Sequence, residues 1–384
     1  MDECKNLCSG DNSIIVQMIK FAIMNRIPVT ITLLATLSFF SVSSQPQRRP
    51  SVVSPDVHGD HSITFRYYSR TAQRVSVSGE FLKAPVKLQR DTSGIWSVTV
   101  PPVKPDIYPY SFWVDSVQVA DPNNSYIFAN ERFKRSMVDI PGDQPLIHSL
   151  QNVPHGKVSY EYYQSKTMNT TRTLLVYTPP GFDPNGKIKY PVLYLIHGGS
   201  DTEETWMKVG RANLIADNLI SQQKAVPMII VMPYGNVRPK PMADFTRDVV
   251  GDIIPFIEAK YPVIRESKGR AVAGFSVGGG QTLNIGLMNA DKFAYVCSYA
   301  PYTGTEEFKN NFASWAPDAS ALNKQLKLFT ISVGTEDFLY ESVKQNIAMF
   351  NEKNLKLETF IVPGGHTWMN CKLFLAKSLQ QLFK

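Results

Sequence analysis

The run Gly274-Phe275-Ser276-Val277-Gly278 sets one hydroxyl between two glycines, directly after the apolar stretch 270–274 and directly before the helix-forming stretch 281–290. A phosphate loop or a plain tight turn can share that spacing. A strand before it and a helix after it select a nucleophile elbow. There the chain must reverse within one residue, so the serine backbone is strained and its neighbours must lack bulk. The hydroxyl is then held at the carboxyl end of a sheet, above a helix N-terminus whose amides and dipole favour negative charge.

A serine hydroxyl needs a base, and the base needs an orienting carboxylate. With an elbow, the chain order is serine, acid, histidine. Of the six histidines (His58, His61, His148, His155, His197 and His366), only His366 follows Ser276. It ends the run Pro363-Gly364-Gly365-His366, where a loop after the last strand can bring an imidazole toward the elbow. Asp337 follows the apolar stretch 327–334 and is the expected acid, with its neighbour Glu336 as the alternative. Asp291, Glu306, Glu307 and Asp318 fall in helix ends or loops, where a solvated role is expected.

A tetrahedral intermediate would also need preorganised amides. Val277 should supply one. The other is expected from His197-Gly198-Gly199-Ser200, at Gly199 with Gly198 as the alternative, while His197 reads as a structural loop residue. Trp206 and Trp368 lie near these loops in sequence and are candidates to line a substrate pocket or to pack. No H-E-x-x-H, paired C-x-x-C or strand-borne G-x-G-x-x-G is present, so neither a metal nor another cofactor is expected.

Such a site requires a particular scaffold. Near-continuous apolar strands (191–199, 226–235, 270–276, 293–301, 327–335, 355–365) alternate with helical stripes, the clearest carrying Phe245, Val249, Ile253 and Ile257 at steps of four. That grammar predicts a doubly wound α/β sheet covered on both faces, over 151–384. Stretches 157–164 and 171–178 are expected to form an antiparallel edge hairpin. Between Ser51 and Asp143 the period is two instead. Ile63, Phe65 and Tyr67, then Val75 and Val77, then Trp96, Val98 and Val100, then Tyr108, Tyr110, Phe112 and Val114 alternate with outward residues. This predicts an all-β, immunoglobulin-like sandwich over 45–150. Trp113 is out of phase and should face outward, where it could stack on a sugar ring or pack on the following domain.

The first residues read as an address. Residues 27–42 are apolar for about sixteen positions, short of the ~20 that a spanning helix needs. Lys20 and Arg26 precede them and Val42-Ser43-Ser44 follows, the layout of a secretory signal. Export, to the exterior or a periplasm, is expected for 1–44, with Met18 or Met24 as a more ordinary start. An uncleaved anchor is the alternative, and no membrane span is expected in the mature chain. Cys4 and Cys8 would leave with this segment, and Cys297 and Cys371 remain, free or joined. The 40 Lys and Arg against 33 Asp and Glu are spread along the 384 residues, without the clustering expected of a nucleic-acid binder.

The stretches 193–199, 210–220, 270–296, 334–340 and 363–368 resemble carbohydrate esterase family 1, in particular its bacterial feruloyl esterases. The resemblance implies an α/β-hydrolase fold, Ser276 as nucleophile, His366 as base, Asp337 as acid, and ester-linked ferulate, other hydroxycinnamates or acetate on plant xylan as substrate. Residues 75–81, 94–96 and 115–122 are similar to carbohydrate-binding module family 48 and the early sandwich domains of glycogen-branching enzymes. The expected function is therefore a secreted serine esterase acting on feruloylated or acetylated plant polysaccharide. An acetyl xylan esterase, a non-catalytic glycan-binding protein and a peptidase are the alternatives.

Overall fold

Alternation of inward and outward side chains builds the front of the chain. In the computed structural model, which describes residues 50–384 except 314 and 316, Ile63, Phe65, Val77, Tyr110 and Phe112 are fully buried. They face one another from two sheets. One runs Asp56–Val57, Ile63–Tyr68, Ile95–Val100, Gln89–Arg90. The other runs Val86–Lys87, Val75–Gly79, Asp106–Val114, Lys134–Ile140, Ile127–Ala129, with Val117–Val119 added beside Asp106–Val114. Phe65 packs its ring 4.9 Å from that of Tyr110 across the sandwich. The expected export segment, with Cys4 and Cys8, lies outside the described residues.

An eight-stranded sheet follows, in the order Lys157–Ser165, Thr170–Thr178, Ile229–Pro233, Val192–Ile196, Arg270–Phe275, Tyr295–Tyr299, Leu328–Gly334, Glu358–Val362. The first two strands form the antiparallel hairpin, and every pair from Ile229–Pro233 onward is parallel. Val192–Ile196, Ile229–Pro233 and Arg270–Phe275 are buried throughout, which is why their sequences carry no polar alternation. The chain runs from Val192–Ile196 to one neighbour and then crosses back to the other. Connections therefore depart in opposite directions there and leave a crevice beyond the carboxyl ends. His197 and Ser276 stand at those ends.

The apolar stripe at steps of four is a continuous helical stretch, Ala243–Asp248, Val249–Ile253 and Ile254–Lys260, whose middle segment is wound as a π-helix. A spacing of four exceeds the α-helical 3.6, and the wider turn keeps Phe245, Val249, Ile253 and Ile257 on one face, all at 0% exposure. Pro255 has no N–H to return to Gly251, which removes one α-helical bond at this place.

Two apolar cores form, and they are interlocked. Ile107, Phe128 and Met137, from strands of the sandwich, belong to the core of the larger sheet, and Met369 packs on the sandwich core. Val52–Lys384 accordingly forms one compact unit. Cys297 and Cys371 are buried free thiols, and burial pushes the Cys297 thiol up to about 11. Among the described residues, no helix is long and apolar enough to cross a membrane.

Candidate active site

Ser276 sits between the Arg270–Phe275 strand and the Val277–Met288 helix with φ 58 and ψ −116. A side chain in this region costs about 1–3 kcal/mol and persists only where surrounding bonds over-determine it. Three do so. The Ser276 amide donates to the Tyr299 carbonyl at 2.9 Å, and its own carbonyl accepts from the amides of Tyr302 at 2.8 Å and Gly280 at 3.0 Å. The flanking glycines are required by space: a β-carbon on Gly274 would stand 2.4 Å from the Gly278 carbonyl oxygen, and one on Gly278 would stand 2.2 Å from that of His197.

Asp337 and His366 come together at the same rim. His366 Nδ1 donates to Asp337 Oδ2 at 2.8 Å, and the other carboxylate oxygen accepts the Leu339 amide at 2.8 Å. The Asp337 carboxylate is almost wholly buried, whereas Glu336 is exposed. The loops are packed into one another, since the Glu336 amide donates to the Gly364 carbonyl at 3.0 Å. Asn370 Nδ2 donates to the Gly365 carbonyl at 3.0 Å and so fixes the turn that presents the imidazole. The His366 ring stacks on Phe275, the residue before Ser276, with centroids 4.4 Å apart.

Gly199 faces Val277: a β-carbon on Gly199 would stand 3.0 Å from Val277 Cγ2. The two residues expected to supply the amide donors are therefore neighbours. His197 is buried beneath them. Its Nε2 accepts the Gly235 amide at 2.8 Å, and its Nδ1 donates to the Gly198 carbonyl at 2.7 Å. Burial pushes this imidazole down to about 4, so it is neutral and serves the loop. Asp201, in the same loop, is pushed up to about 7 by burial.

These two shifts act on stability with opposite signs. The unfolded chain protonates His197 near the ordinary 6.5, the folded chain only near 4, so stability from this group falls as pH drops through that interval. Folded Asp201 instead retains a proton that the unfolded carboxyl releases above its ordinary 3.8, so stability from it falls as pH rises toward 7. A His197→Gln variant isolates the first. Its destabilisation, read from urea unfolding, is expected to be greatest at pH 7 and to shrink by about 3 kcal/mol by pH 4.

Of the two roles open to Trp206 and Trp368, lining a pocket or packing, the structure gives both the second. Trp206 is 0% exposed, donates Nε1 to the Ile196 carbonyl at 2.9 Å, and meets Trp368 edge-on at 4.9 Å. Trp368, itself buried, also packs on Phe275 and Phe128. Both hold the sheet, the elbow and the sandwich together, as packing residues. A cleft of about 480 Å³ beside the elbow is lined by Tyr302, Phe308, Phe312, Phe338, Leu339 and Met349. Phe338 is 75% exposed and its ring sits 4.6 Å from that of His366. A large apolar residue directly after Asp337 in a polar turn was the available signal for it. Trp113 does face outward, its Nε1 bonded to Ser78 Oγ, at a second cleft of about 360 Å³ that also includes Trp96 and Arg74. Among the described residues, no group of three or more His, Cys, Asp or Glu is placed to hold a metal.

The Esterase family model matches residues 165–373, more than half of the chain. The chain belongs to the Esterase family. In front, residues 52–125 of this esterase match Carbohydrate-binding module 48 (Isoamylase N-terminal domain). The esterase is 27% identical over 357 residues to the endo-1,4-beta-xylanase/feruloyl esterase of Xylanibacter ruminicola, covering 88% of this chain and 47% of that protein. It is 29% identical over 206 residues to endo-1,4-beta-xylanase Y of Acetivibrio thermocellus, covering 50% of this chain and 19% of that protein. The chain thus spans less than half the length of these relatives. Among solved structures, a CE1 ferulic acid esterase from Anaeromyces mucronatus in complex with ferulic acid matches with TM-score 0.54 and 26% identity, over 61% of this chain and 93% of that one. The enterobactin esterase of Shigella flexneri matches in fold, with TM-score 0.65 and 17% identity, over 84% of this chain and 92% of that one. These likenesses bear out the expected α/β-hydrolase fold preceded by an all-β domain.

Proposed function

We propose that the esterase is a serine hydrolase that releases hydroxycinnamoyl groups, feruloyl above all, from plant cell-wall xylan. The observation that carries this reading is the His366–Asp337 hydrogen bond formed against the strained Ser276 elbow, beside a cleft walled by aromatic rings. Asp337 can only accept, so it fixes the proton of His366 on Nδ1 and leaves Nε2 as the base. Ser276 Oγ attacks the ester carbonyl as Nε2 takes its proton, and the oxyanion rests on the Val277 and Gly199 amides. His366 then passes the proton to the departing sugar oxygen. Water, deprotonated by His366, cleaves the acyl-enzyme and frees the acid. The chemistry needs no cofactor.

Tyr302 and Phe338 favour an aromatic acyl group over acetate, since a planar ring gains stacking and burial that a methyl group does not. The named activities of the xylanase and ferulic acid esterase relatives support the same substrate class. Trp113, with its ring fixed beside an open cleft, suits stacking on a pyranose of the same polymer. Export through the 27–42 segment agrees with a substrate outside the cell.

Product analysis after incubation with feruloylated and with acetylated xylan tests the proposal: ferulate should dominate. Acetate as the main product would favour the acetyl xylan reading, and neither product would remove the enzymatic one. Phe338→Ala should lower kcat/KM for methyl ferulate by about tenfold or more, while p-nitrophenyl acetate hydrolysis stays near wild type.

A further inference from the structure

The front sandwich reaches the crevice through its last loop. Asn130 and Asp201, both buried, form an antiparallel bridge, and Asn130 Nδ2 donates to Asp201 Oδ1 at 2.8 Å. The next residue, Glu131, donates its amide to the Ser200 carbonyl at 2.7 Å. Ser200 follows Gly199 and holds φ 64, a conformation that a serine does not keep unaided. Its amide is held by Asn236 Oδ1 at 3.2 Å, and Asn236 Nδ2 donates to the Asp201 carbonyl at 2.8 Å. Asp201 closes the turn through its own amide, which donates to the Gly198 carbonyl at 3.2 Å. Its Oδ2 stands 3.0 Å from where a β-carbon of Gly198 would be, so the carboxylate abuts the Gly198 backbone. The Asn130 amide is itself oriented, because its Oδ1 accepts the Arg132 amide at 2.9 Å.

We propose that Asn130, a residue of the front domain, is a positioning residue for ester hydrolysis: through Asp201 it sets the Gly198–Ser200 turn whose amide meets the oxyanion. This rests on the proposed serine-hydrolase reading of the same site. Oxyanion donors act only when aimed beforehand at the position where charge develops. A displacement of about 1 Å in such a group can cost roughly a hundredfold in rate. Without the Asn130 donor, Asp201 Oδ1 loses its partner in a buried place, and the turn must shift to re-satisfy it. The front domain would then act on chemistry and not only on polymer capture.

The test uses the full chain and p-nitrophenyl acetate, which is too small to need the glycan face of the sandwich. Asn130→Leu should lower kcat by roughly ten- to a hundredfold with KM within about twofold of wild type, the pattern of an interaction made in the transition state. The exchange Asn130→Asp with Asp201→Asn rebuilds the amide–carboxylate bond in reverse and should return kcat to near wild type. Asn130→Ser, too short to reach Asp201, replaces Asn130→Leu if that variant does not fold. Wild-type kcat in Asn130→Leu, or an exchange variant as slow as Asn130→Leu, overturns the positioning role. Ser276→Ala run alongside separates the two readings. If it is inactive the serine mechanism stands whatever Asn130 does, and if it matches wild type both fall.

Discussion

Ser276→Ala is expected to lower kcat for p-nitrophenyl acetate and methyl ferulate by on the order of 10⁴- to 10⁶-fold, leaving the residue of catalysis that binding and the amide donors supply. Alanine keeps the β-carbon and therefore the same backbone strain at φ 58, so the variant should unfold at nearly the wild-type urea concentration. Loss of activity without loss of fold is thus the expected pair of readings. Because serine and histidine act as a unit, Ser276→Ala combined with His366→Ala should be no slower than either alone. A Ser276→Ala protein with wild-type turnover would mean that the strained elbow serves some other purpose.

Asp337→Asn carries the second largest expectation, a fall in kcat of roughly 10⁴-fold. The amide is nearly isosteric, but it can present an N–H to His366 Nδ1. The imidazole proton then moves to Nε2, and the nitrogen that should take the serine proton is already occupied. KM should change little, because Asp337 is buried and its carboxylate is turned to His366 and not to solvent. Glu336→Gln, at the exposed neighbouring position, should stay near wild type. A large effect from Glu336 and none from Asp337 would reverse the assignment of the acid.

The elbow was legible because every requirement on it is local: an apolar strand, two small neighbours and a helix all lie within twenty residues of Ser276. Asp337 and His366 were legible through chain order and strand ends, since a parallel sheet presents all its carboxyl ends at one rim. The choice between lining and packing for the tryptophans was not legible, because nearness in sequence to a loop does not say which way a side chain turns. Trp206 and Trp368 lie beside such loops, yet both rings turn inward to meet each other. The link from Asn130 to Asp201 spans 71 positions and two different folds, and no spacing rule connects them. The π-helical turn was hidden in plain view, in a spacing of four that an α-helix does not keep.

The interlocked cores bear on how this architecture can be rearranged. Ile107, Phe128 and Met137 leave the sandwich to fill the interior of the larger sheet, and Met369 returns the exchange. A cut between the two parts would uncover oily surface on both, so neither half is a cassette to be trimmed away or transplanted alone. Chimeras that fuse a foreign glycan-binding front end to this catalytic half will need those residues, and the 130–131 loop with them, grafted at the same time.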